Sequence, residues 1–400
     1  MFKFIHTSDW HLGQSFYGYD RSDEQRDFLR QLAAIVAEQQ PDALLVSGDV
    51  YHTPSPSSST VSLYVKSMLE IHDACPTMSI IVIAGNHDSA ARLESDSLLW
   101  ELAGVRVIGG IARNDDGTAN LDRHLVPVGN RGIVAAVPFS YPASFPQVPG
   151  KSVERDLRQA TYFQALLDRA ASKYPSDMPV VLMAHLAVLG IDTTGHDSAV
   201  LMDAVALADL GTGYDYAALG HIHHPQQPSP HARYCGTPLA VSFDEQCQHA
   251  VSLVEIDAHG SAPVISSLPI KNIKPLHTIP AKEPAGFDTV MEHLQALSGT
   301  ENAYVRLNVL VDGQLPHDAQ TRAAEVLEQK SCRYCCIKRN VTATARQRGT
   351  QMHLEELSAK LPLDVANQFF TDKTGQAMSD LQQEMFNEAY RQVIAEEREQ

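Results

Sequence analysis

Residues 6–13 read HTSDWHLG and follow a short apolar opening. That opening predicts a buried strand over Met1–Thr7, so Asp9 and His11 come just past its carboxyl end. One such pair proves little, because an ordinary surface turn can carry an aspartate and a histidine. The pair gains meaning only if further carboxylates, amides and histidines follow other strands, because open α/β sheets bind their ligands at the carboxyl ends of strands.

Strands and helices alternate from residue 1 to about residue 140. Apolar runs at Ala43–Ser47 and Ser79–Ala84 predict buried strands, and a capping box at Ser22 and Gln25 predicts the start of the first helix. Further strands are predicted at Ile133–Val137, Val180–Ala184, Tyr216–Leu219 and Val251–Ile256, and helices at Val61–Ile71 and Arg155–Tyr174. Nearly continuous apolar strands separated by helices predict an α/β fold whose sheet is covered on both faces.

The pattern changes after about residue 270, where IKNIKPLHTIPAKEPAG at 270–286 predicts a linker or an edge strand. A small α+β unit is predicted next, with helices at Phe287–Leu297 and Ala319–Gln329 and strands at Tyr304–Val311 and Tyr334–Val341. From about residue 346 the pattern is helical only. It carries an apolar stripe at spacings of three and four residues, at Met378, Leu381, Met385, Ala389 and Val393.

The bulk composition narrows the class of protein. A length of 400 residues predicts two or more domains, and there is neither an apolar run long enough to span a membrane nor a cleavable signal, so we expect a cytoplasmic protein. The six cysteines are then expected to be reduced. CRYCC at 332–336 resembles half of a zinc knuckle, but no second CxxC pair completes it, which favours buried or strand cysteines.

The net charge of −17 argues against a general polyanion binder, because phosphate contacts need lysine and arginine. The charge is uneven, however. Residues 331–350 carry five basic and no acidic side chains, namely Arg333, Lys338, Arg339, Arg346 and Arg348, whereas residues 351–400 carry four basic and ten acidic ones. The segments are either two solvated faces or a basic patch beside an acidic tail.

Every further candidate ligand follows a predicted strand. Asp49 stands in SGDVYH, Asn86, His87 and Asp88 in AGNHD, His185 in MAHL, and His221 and His223 in LGHIHH. Glycines 48, 85 and 220 precede three of these groups, and glycine allows a sharp turn and a close approach to an ion. Each motif alone is weak, but the ordered set at strand ends makes a coincidence improbable.

The donors number two aspartates, one asparagine and four histidines, which exceeds one tetrahedral zinc site and suits two ions. Asp49 can bridge two cations. Asp9, His11 and His223 would complete one site, and Asn86, His185 and His221 the other. Two such ions clamp a phosphate and activate water for in-line attack. Oxygen and imidazole donors without thiolate favour manganese, with magnesium, iron and zinc as alternatives.

His87 lies next to a candidate ligand without having to be one. It would donate a proton to the leaving oxygen or stabilise charge on the phosphorane. Asp88 would orient its ring.

The series Asp-x-His, Gly-Asp, Gly-Asn-His-Asp, His, Gly-His-x-His resembles that of the calcineurin-like metallophosphoesterases. The opening HTSDWHLGQ, the chain length and RYCGTPLAVSFDE at 233–245 resemble more narrowly the SbcD family, the nuclease subunits of bacterial SbcCD complexes and relatives of the meiotic-recombination nucleases. The resemblance covers the whole chain and is stronger before residue 257 than after it.

This resemblance implies a two-sheet metallophosphoesterase sandwich flanked by helices, with a small α+β capping domain and a helical C-terminal tail. The parts would be a nuclease domain at 1–270, a DNA-binding cap at 271–345 and a tail at 346–400 that docks on an SbcC-type ABC ATPase. The alternative is that the apolar stripe of the tail packs on its own domain. It also implies two divalent ions on the ligand sets above, with His87 as the catalytic histidine. His52, in GDVYH, would either help to place DNA or touch no substrate.

The family further implies 3′→5′ exonuclease activity on duplex ends and endonuclease activity on hairpins or single strands, in DNA recombination, replication and repair at the nucleoid. A homodimer within a heterotetramer is implied, through helices of the phosphoesterase domain. The candidates for this contact are Leu63, Leu98, Leu99 and Trp100, which suit an intramolecular core equally well. The acidic charge means that SbcC would supply much of the DNA grip. Alternatives are a phosphodiesterase for small substrates such as cyclic nucleotides, and a binding module with a vestigial site.

Overall fold

The structure is a computed structural model that describes residues 1–193, 203–245, 247–312 and 314–341, with scattered residues between 363 and 386. Most of the predicted tail lies outside the described residues, including Arg346, Arg348, Leu381, Ala389 and Val393. In the part of the chain that the structure describes, every helix is too short or too polar to cross a bilayer.

The strands are β1 (Phe2–Thr7), β2 (Ala43–Ser47), β3 (Ser79–Ile83), β4 (Val105–Ile108), β5 (Leu125–Val128), β6 (Gly132–Val137), β7 (Val180–His185), β8 (Tyr216–Gly220), β9 (Gln226–Ser229), β10 (Ala232–Tyr234), β11 (Ala250–Ile256), β12 (Val264–Pro269), β13 (Leu276–Ile279), β14 (Tyr304–Val311) and β15 (Arg333–Val341). The α-helices are α1 (Ser22–Gln39), α2 (Ser58–Ala74), α3 (Ala90–Glu94), α4 (Ser97–Leu102), α5 (Arg158–Lys173), α6 (Phe287–Ala296) and α7 (Ala319–Glu328). The predicted strands and helices over these residues are confirmed, with ends that move by up to three residues.

Two six-stranded sheets form the large unit. The first has the order β12–β11–β1–β2–β3–β4 and the second the order β5–β6–β7–β8–β10–β9. The strands β1 to β4 run parallel in the first sheet, as do β6, β7 and β8 in the second. The neighbouring carboxyl ends of β1, β2 and β3, and those of β7 and β8, therefore gather at one edge of each sheet.

The two sheets face each other across an apolar layer. Phe4, Leu45 and Ile83 of the first sheet meet Met183 and Tyr216 of the second, and all five are buried. Helices α1 and α2 cover the outer face of the first sheet, and α5 covers that of the second. The predicted burial of both faces of the strands is therefore correct, but each sheet has helices on only one face and the other sheet on its second face.

The predicted capping box does not form. Arg21 occupies the N-cap position of α1 without a side-chain cap, and the Ser22 hydroxyl instead donates to the Asp20 carboxylate. Gln25 reaches back to the loop after β1, where its Oε1 accepts from Gly13 N at 3.0 Å and its Nε2 donates to His11 O at 3.3 Å. This side chain supports the loop rather than the helix start, because the loop offers it both a donor and an acceptor.

A third sheet, ordered β13–β14–β15 and parallel throughout, carries α6 and α7. Alternate residues of β14 divide between two faces. Val305, Leu307 and Val309 pack in the core with the two helices, whereas Tyr304 and Arg306 reach the large unit. The predicted edge strand in 270–286 is β13, and the predicted strand cysteines Cys335 and Cys336 lie in β15.

Candidate metal centre

The predicted donors converge at the strand edge shared by the two sheets. Asp9 and His11 follow β1, Asp49 follows β2, and Asn86 follows β3. His185 ends β7, and His221 and His223 follow β8. All seven contribute to one continuous cluster, although the chain separates His11 from His223 by 212 residues.

One subset surrounds His11. Its Nε2 faces His223 Nε2 at 3.2 Å and Asp49 Oδ2 at 3.7 Å. Asp9, His11 and His223 place one donor atom each within 4.8 Å of one another. Two imidazole nitrogens and carboxylate oxygens that point at a common centre form the geometry that a divalent cation takes.

A second subset surrounds Asn86. Its Oδ1 lies 3.0 Å from His185 Nε2 and 2.9 Å from His221 Nδ1. Asp49 Oδ2 lies 3.5 Å from the same nitrogen of His185, so Asp49 borders both subsets. His185 Nδ1 donates to Ser47 O at 2.8 Å, which leaves Nε2 free of a proton when the ring is neutral and directed at the centre.

The backbone at the donors is strained. Asp9, His11, Asp49 and His221 have φ values of 54°, 46°, 51° and 98°, in the left-handed region that non-glycine residues rarely adopt. Such strain costs about 1–3 kcal/mol per residue and concentrates at functional sites. Surrounding bonds hold it: Asp9 N donates to Gly48 O at 2.9 Å, and His11 N donates to Asp49 O at 3.0 Å.

The three predicted glycines are needed for close packing of the donors. A Cβ on Gly85 would lie 2.1 Å from Asp49 Oδ1, and one on Gly48 would lie 2.3 Å from His185 Nδ1. A Cβ on Gly220 would lie 1.9 Å from Ser47 O. Any side chain at these positions would therefore displace the donors. The glycines were expected to let the chain approach an ion, and the structure shows that they let the chain approach the donor residues.

Comparison with known proteins agrees with this geometry. Residues 2–225, more than half of the chain, match the model of the calcineurin-like phosphoesterases, and residues 272–374 match the type 5 capsule protein repressor C-terminal domain. The SbcD nuclease subunit of Rhodobacter capsulatus SbcCD is 32% identical, with 74% of this chain and 76% of the relative aligned. The chain belongs to the calcineurin-like phosphoesterases, in the SbcD family.

Other relatives extend the match. The SbcD nuclease subunit of Bacillus subtilis is 29% identical over 78% of this chain and 80% of its own. The corresponding SbcD subunit of Escherichia coli K12 is 26% identical over 90% of both chains. Among solved structures, a dimetal phosphatase from Danio rerio aligns with 68% of this chain and 99% of its own, at 13% identity and a TM-score of 0.35. The family assignment makes the chain a phosphodiester hydrolase and its clustered donors a site for divalent metal.

Electrostatics of this phosphoesterase site favour a cation. Burial, with the nearby Asp49 charge, raises the pKa of Asp9 to about 7. Burial opposes charge on Asp49 and His185 as well, yet their mutual attraction outweighs it, so the pKa of Asp49 falls far below its usual range and that of His185 rises to about 9. Burial lowers the pKa of His11. A bound cation would displace these protons, so metal affinity should rise with pH.

His87 and His52 lie together on the His11 side of the centre. The His87 ring is 4.9 Å from the His11 ring and stacks on the His52 ring at 5.6 Å. His87 Nδ1 lies 2.9 Å from His52 O, and the His87 backbone N–H donates to Asp49 Oδ1 at 2.9 Å. The polar partner of the His87 ring is thus a backbone carbonyl.

The role predicted for Asp88 is wrong, because its carboxylate does not reach the His87 ring. Asp88 accepts backbone N–H groups of Val50 at 3.1 Å, Tyr51 at 2.9 Å and Gly85 at 2.9 Å. These bonds tie the turn after β2 to the turn after β3. Asp88 therefore positions the loops that carry Asp49 and Asn86, and three convergent N–H groups outcompete a single imidazole for its oxygens.

Sequence reasoning missed several supporting residues. Ser8 donates its hydroxyl to Asp9, and Glu245 Oε1 lies 3.6 Å from His223 Nδ1. Phe139 packs its ring 6.3 Å from the rings of both His185 and His221. Glu245 stands in the family segment at 233–245, so the resemblance marked its region, whereas no local signal singled out Phe139.

Proposed function

We propose that this chain is a metal-dependent DNA nuclease, the nuclease subunit of an SbcCD-type complex. It would act as a 3′→5′ exonuclease on duplex ends and as an endonuclease on single strands and hairpins, in DNA recombination, replication and repair. The observation that carries the proposal is the pair of donor subsets that share Asp49 at the sheet edge. Relatives named as nuclease subunits along most of the chain support DNA as the substrate.

In this proposal Asp9, His11, Asp49 and His223 hold one ion, and Asp49, Asn86, His185 and His221 hold the other. Manganese suits their oxygen and imidazole donors. When bound, two such ions would supply Lewis acidity to the scissile phosphate and would activate a water for in-line attack. Ser8, Ser47 and Glu245 keep the ligand side chains oriented through the contacts described above.

His87 acts on the leaving oxygen. With Nδ1–H donated to His52 O, the remaining ring nitrogen is available to give a proton to the departing 3′ oxygen or to contact a phosphate oxygen. His52 would then act in two ways. Its carbonyl fixes the His87 ring, and its own ring, half-buried and parallel to that of His87, borders the path of the DNA.

The remaining regions serve assembly in this proposal. Residues 1–270 form the nuclease domain, 271–345 the cap and 346–400 the docking tail for an SbcC-type ABC ATPase. Exposed Leu98, Leu99 and Leu102 on α4 would form the homodimer contact, whereas Leu63 and Trp100 pack in their own core. Of the basic segment, Arg333 and Lys338 face the large unit, so Arg339 is its best candidate for DNA among the described residues.

A nuclease assay tests the proposal. Protein stripped of metal and reloaded with manganese, magnesium or zinc would receive end-labelled duplex and hairpin DNA, with bis-p-nitrophenyl phosphate as a small substrate. We expect manganese-dependent DNA cleavage that His87→Ala reduces by roughly 10²- to 10⁴-fold, the usual contribution of a general acid. Thermal unfolding with and without manganese reads ion binding independently of activity.

Hydrolysis of the small ester without DNA cleavage, even with an SbcC-type partner and ATP, would overturn the nuclease assignment. It would move the function to a phosphodiesterase for small substrates such as cyclic nucleotides. Failure of manganese to raise the unfolding temperature would overturn the metal assignment itself. Deletion of residues 346–400 tests the docking assignment of the tail. If the assignment holds, the deletion must abolish binding of the SbcC-type partner.

A further inference from the structure

Three histidines form a group of their own on one side of the metal centre. His11, His52 and His87 each place one ring nitrogen within 4.8 Å of the others. The His52 and His87 rings stack with 17° between their planes, and the His11 ring lies edge-on to both, with centroids 5.5 Å and 4.9 Å away. This histidine trio contains only imidazole donors, unlike the two donor subsets described above.

The protein leaves ring nitrogens of the trio available. Nδ1 of His11 and Nδ1 of His52 are buried and have no hydrogen-bond partner among the residues that the structure describes. His87 Nδ1 donates to His52 O at 2.9 Å, so the lone pair of the neutral His87 ring is on Nε2. Native structures pair nearly all buried polar atoms, so unpaired nitrogens on neighbouring imidazoles indicate a ligand that pairs them.

Donor chemistry separates the trio from the two donor subsets. Each subset combines two imidazoles with carboxylate or amide oxygens, which suit manganese. Imidazole suits zinc and copper, and the affinity of a given site rises from manganese to copper. Zinc binds three histidines in some enzymes, with Zn–N distances of about 2.0–2.1 Å. A small closing movement of the half-buried His52 and His87 rings brings the three nitrogens to that spacing.

The trio shares His11 with the subset of Asp9, His11 and His223. A neutral imidazole has one lone pair for a metal, so the His11 ring serves one cation at a time. His11 Nε2 lies 3.2 Å from His223 Nε2, while the same ring packs against His87 and His52. A cation on the trio therefore replaces the ion of that subset instead of adding a further one. It also occupies the ring nitrogen of His87 that acts on the leaving oxygen.

We propose that the histidine trio is an inhibitory zinc site, at which zinc competes with the catalytic manganese for His11. Zinc on His11, His52 and His87 keeps the enzyme inactive, and excess manganese restores it by drawing His11 back to the subset with Asp9 and His223. The inference rests on the metal assignment of the proposed function for the competing ion, and it holds whether the substrate is DNA or a small ester.

Titration calorimetry of the metal-stripped full chain, with zinc chloride or with manganese chloride, tests the trio without turnover. His52→Ala removes the ring and keeps the backbone carbonyl that holds His87. We expect it to weaken zinc binding at one site by at least about 10-fold, since even an outer partner of a ligand contributes that much, and to leave the manganese affinities unchanged. His293→Ala, on the exposed face of α6, is the matched control and should change neither.

Unchanged zinc affinity in His52→Ala would overturn the trio. Equal losses for zinc and manganese would also overturn it, because the ring would then only support the neighbouring subset. For the unaltered chain, the apparent zinc affinity should fall as the manganese concentration rises, and zinc inhibition of bis-p-nitrophenyl phosphate hydrolysis should be relieved by manganese. Inhibition that excess manganese does not relieve would overturn the competition for His11.

Electron paramagnetic resonance of the unaltered chain with one equivalent of copper(II) chloride tests the trio without any variant. The trio supplies three imidazole nitrogens to one ion, whereas each donor subset supplies two. We expect coupling to three nitrogens, and coupling to two would overturn the trio. The manganese titration decides the metal assignment separately: a chain that holds copper through three nitrogens but binds no manganese would keep the trio as a cation site and lose the manganese centre.

Discussion

The metal centre and the contact between the large unit and the three-stranded unit are both buried and charged, but they are built in opposite ways. At the contact, Glu24 accepts bonds from Arg21 at 3.0 Å, Lys274 at 3.2 Å and the Tyr304 hydroxyl at 2.8 Å. Arg306 pairs with Asp244 at 2.8 Å. Each charge therefore meets its opposite within the chain.

At the metal centre, by contrast, like groups face each other. His11 and His223 point ring nitrogens together, and burial, with the nearby Asp49 carboxylate, raises the pKa of Asp9. Four donors also have left-handed backbone. A self-satisfied buried network stabilises one arrangement of the units, whereas a cluster of like groups on strained backbone is suited to an added cation.

Asp49→Asn should produce the largest effect, because Asp49 borders both donor subsets. We expect kcat/KM for bis-p-nitrophenyl phosphate with manganese to fall at least about 10³-fold. Asp244→Asn, at the contact between the units, is the matched control and should stay within about twofold of the unaltered protein. If Asp49→Asn kept a tenth of the activity, the shared role of this carboxylate would be wrong.

Glu24→Ala should damage stability rather than chemistry. It leaves buried Arg21 and Lys274 without their carboxylate, which should lower the free energy of unfolding by roughly 3 kcal/mol or more in urea denaturation. Glu38→Ala on the exposed face of the same helix should change it by at most about 0.5 kcal/mol. Equal urea midpoints for the two variants would remove the contrast between the regions.

Gly85→Ala tests how little room the metal centre has. Its Cβ would meet Asp49 Oδ1 at 2.1 Å and Asp49 N at 2.4 Å, so the carboxylate must shift. A displacement of about 1 Å costs roughly 10²-fold in rate, which steady-state kinetics on the small ester would detect. Gly110→Ala, with only Ala90 Cβ at 4.0 Å, should show full activity. An active Gly85→Ala enzyme would mean that the site adapts.

A substitution of His124 should give the smallest effect of the four. This histidine is buried like the charged groups of both regions, but it is held by neither a cation nor an ion pair, so it shows the effect of burial alone. Burial lowers its pKa from 6.5 to about 4, so the unfolded chain binds more protons as pH falls through that window and stability is lost there. His124→Gln cannot gain this proton, so its loss of unfolding free energy from pH 6 to pH 5 should be about 1 kcal/mol smaller. Parallel pH profiles from urea titrations would contradict this.

Particular residues show where sequence reasoning stopped. β14 was predicted at Tyr304–Val311 and is observed there, since its apolar residues suit a strand. Its alternation determines that Tyr304 and Arg306 share a face, but their acceptors Glu24 and Asp244 lie 280 and 62 residues away. Asp88 lies near the site, but its predicted partner, the His87 ring, is not the observed one. Residue spacing in the sequence cannot show which of several nearby donors forms the hydrogen bonds with a carboxylate.

The sequence by itself determined the strands, the order of the donors that follow them and the kind of metal they suit, because strand period and ligand chemistry are local properties. The residue pattern did not show that β6, β7 and β8 form a second sheet facing the first, since an apolar strand looks the same under a helix or under another sheet. The family resemblance implied that two-sheet sandwich, and the tertiary structure confirms it. The tertiary structure also decided the left-handed backbone of the donors. Both features depend on packing between segments far apart in the chain.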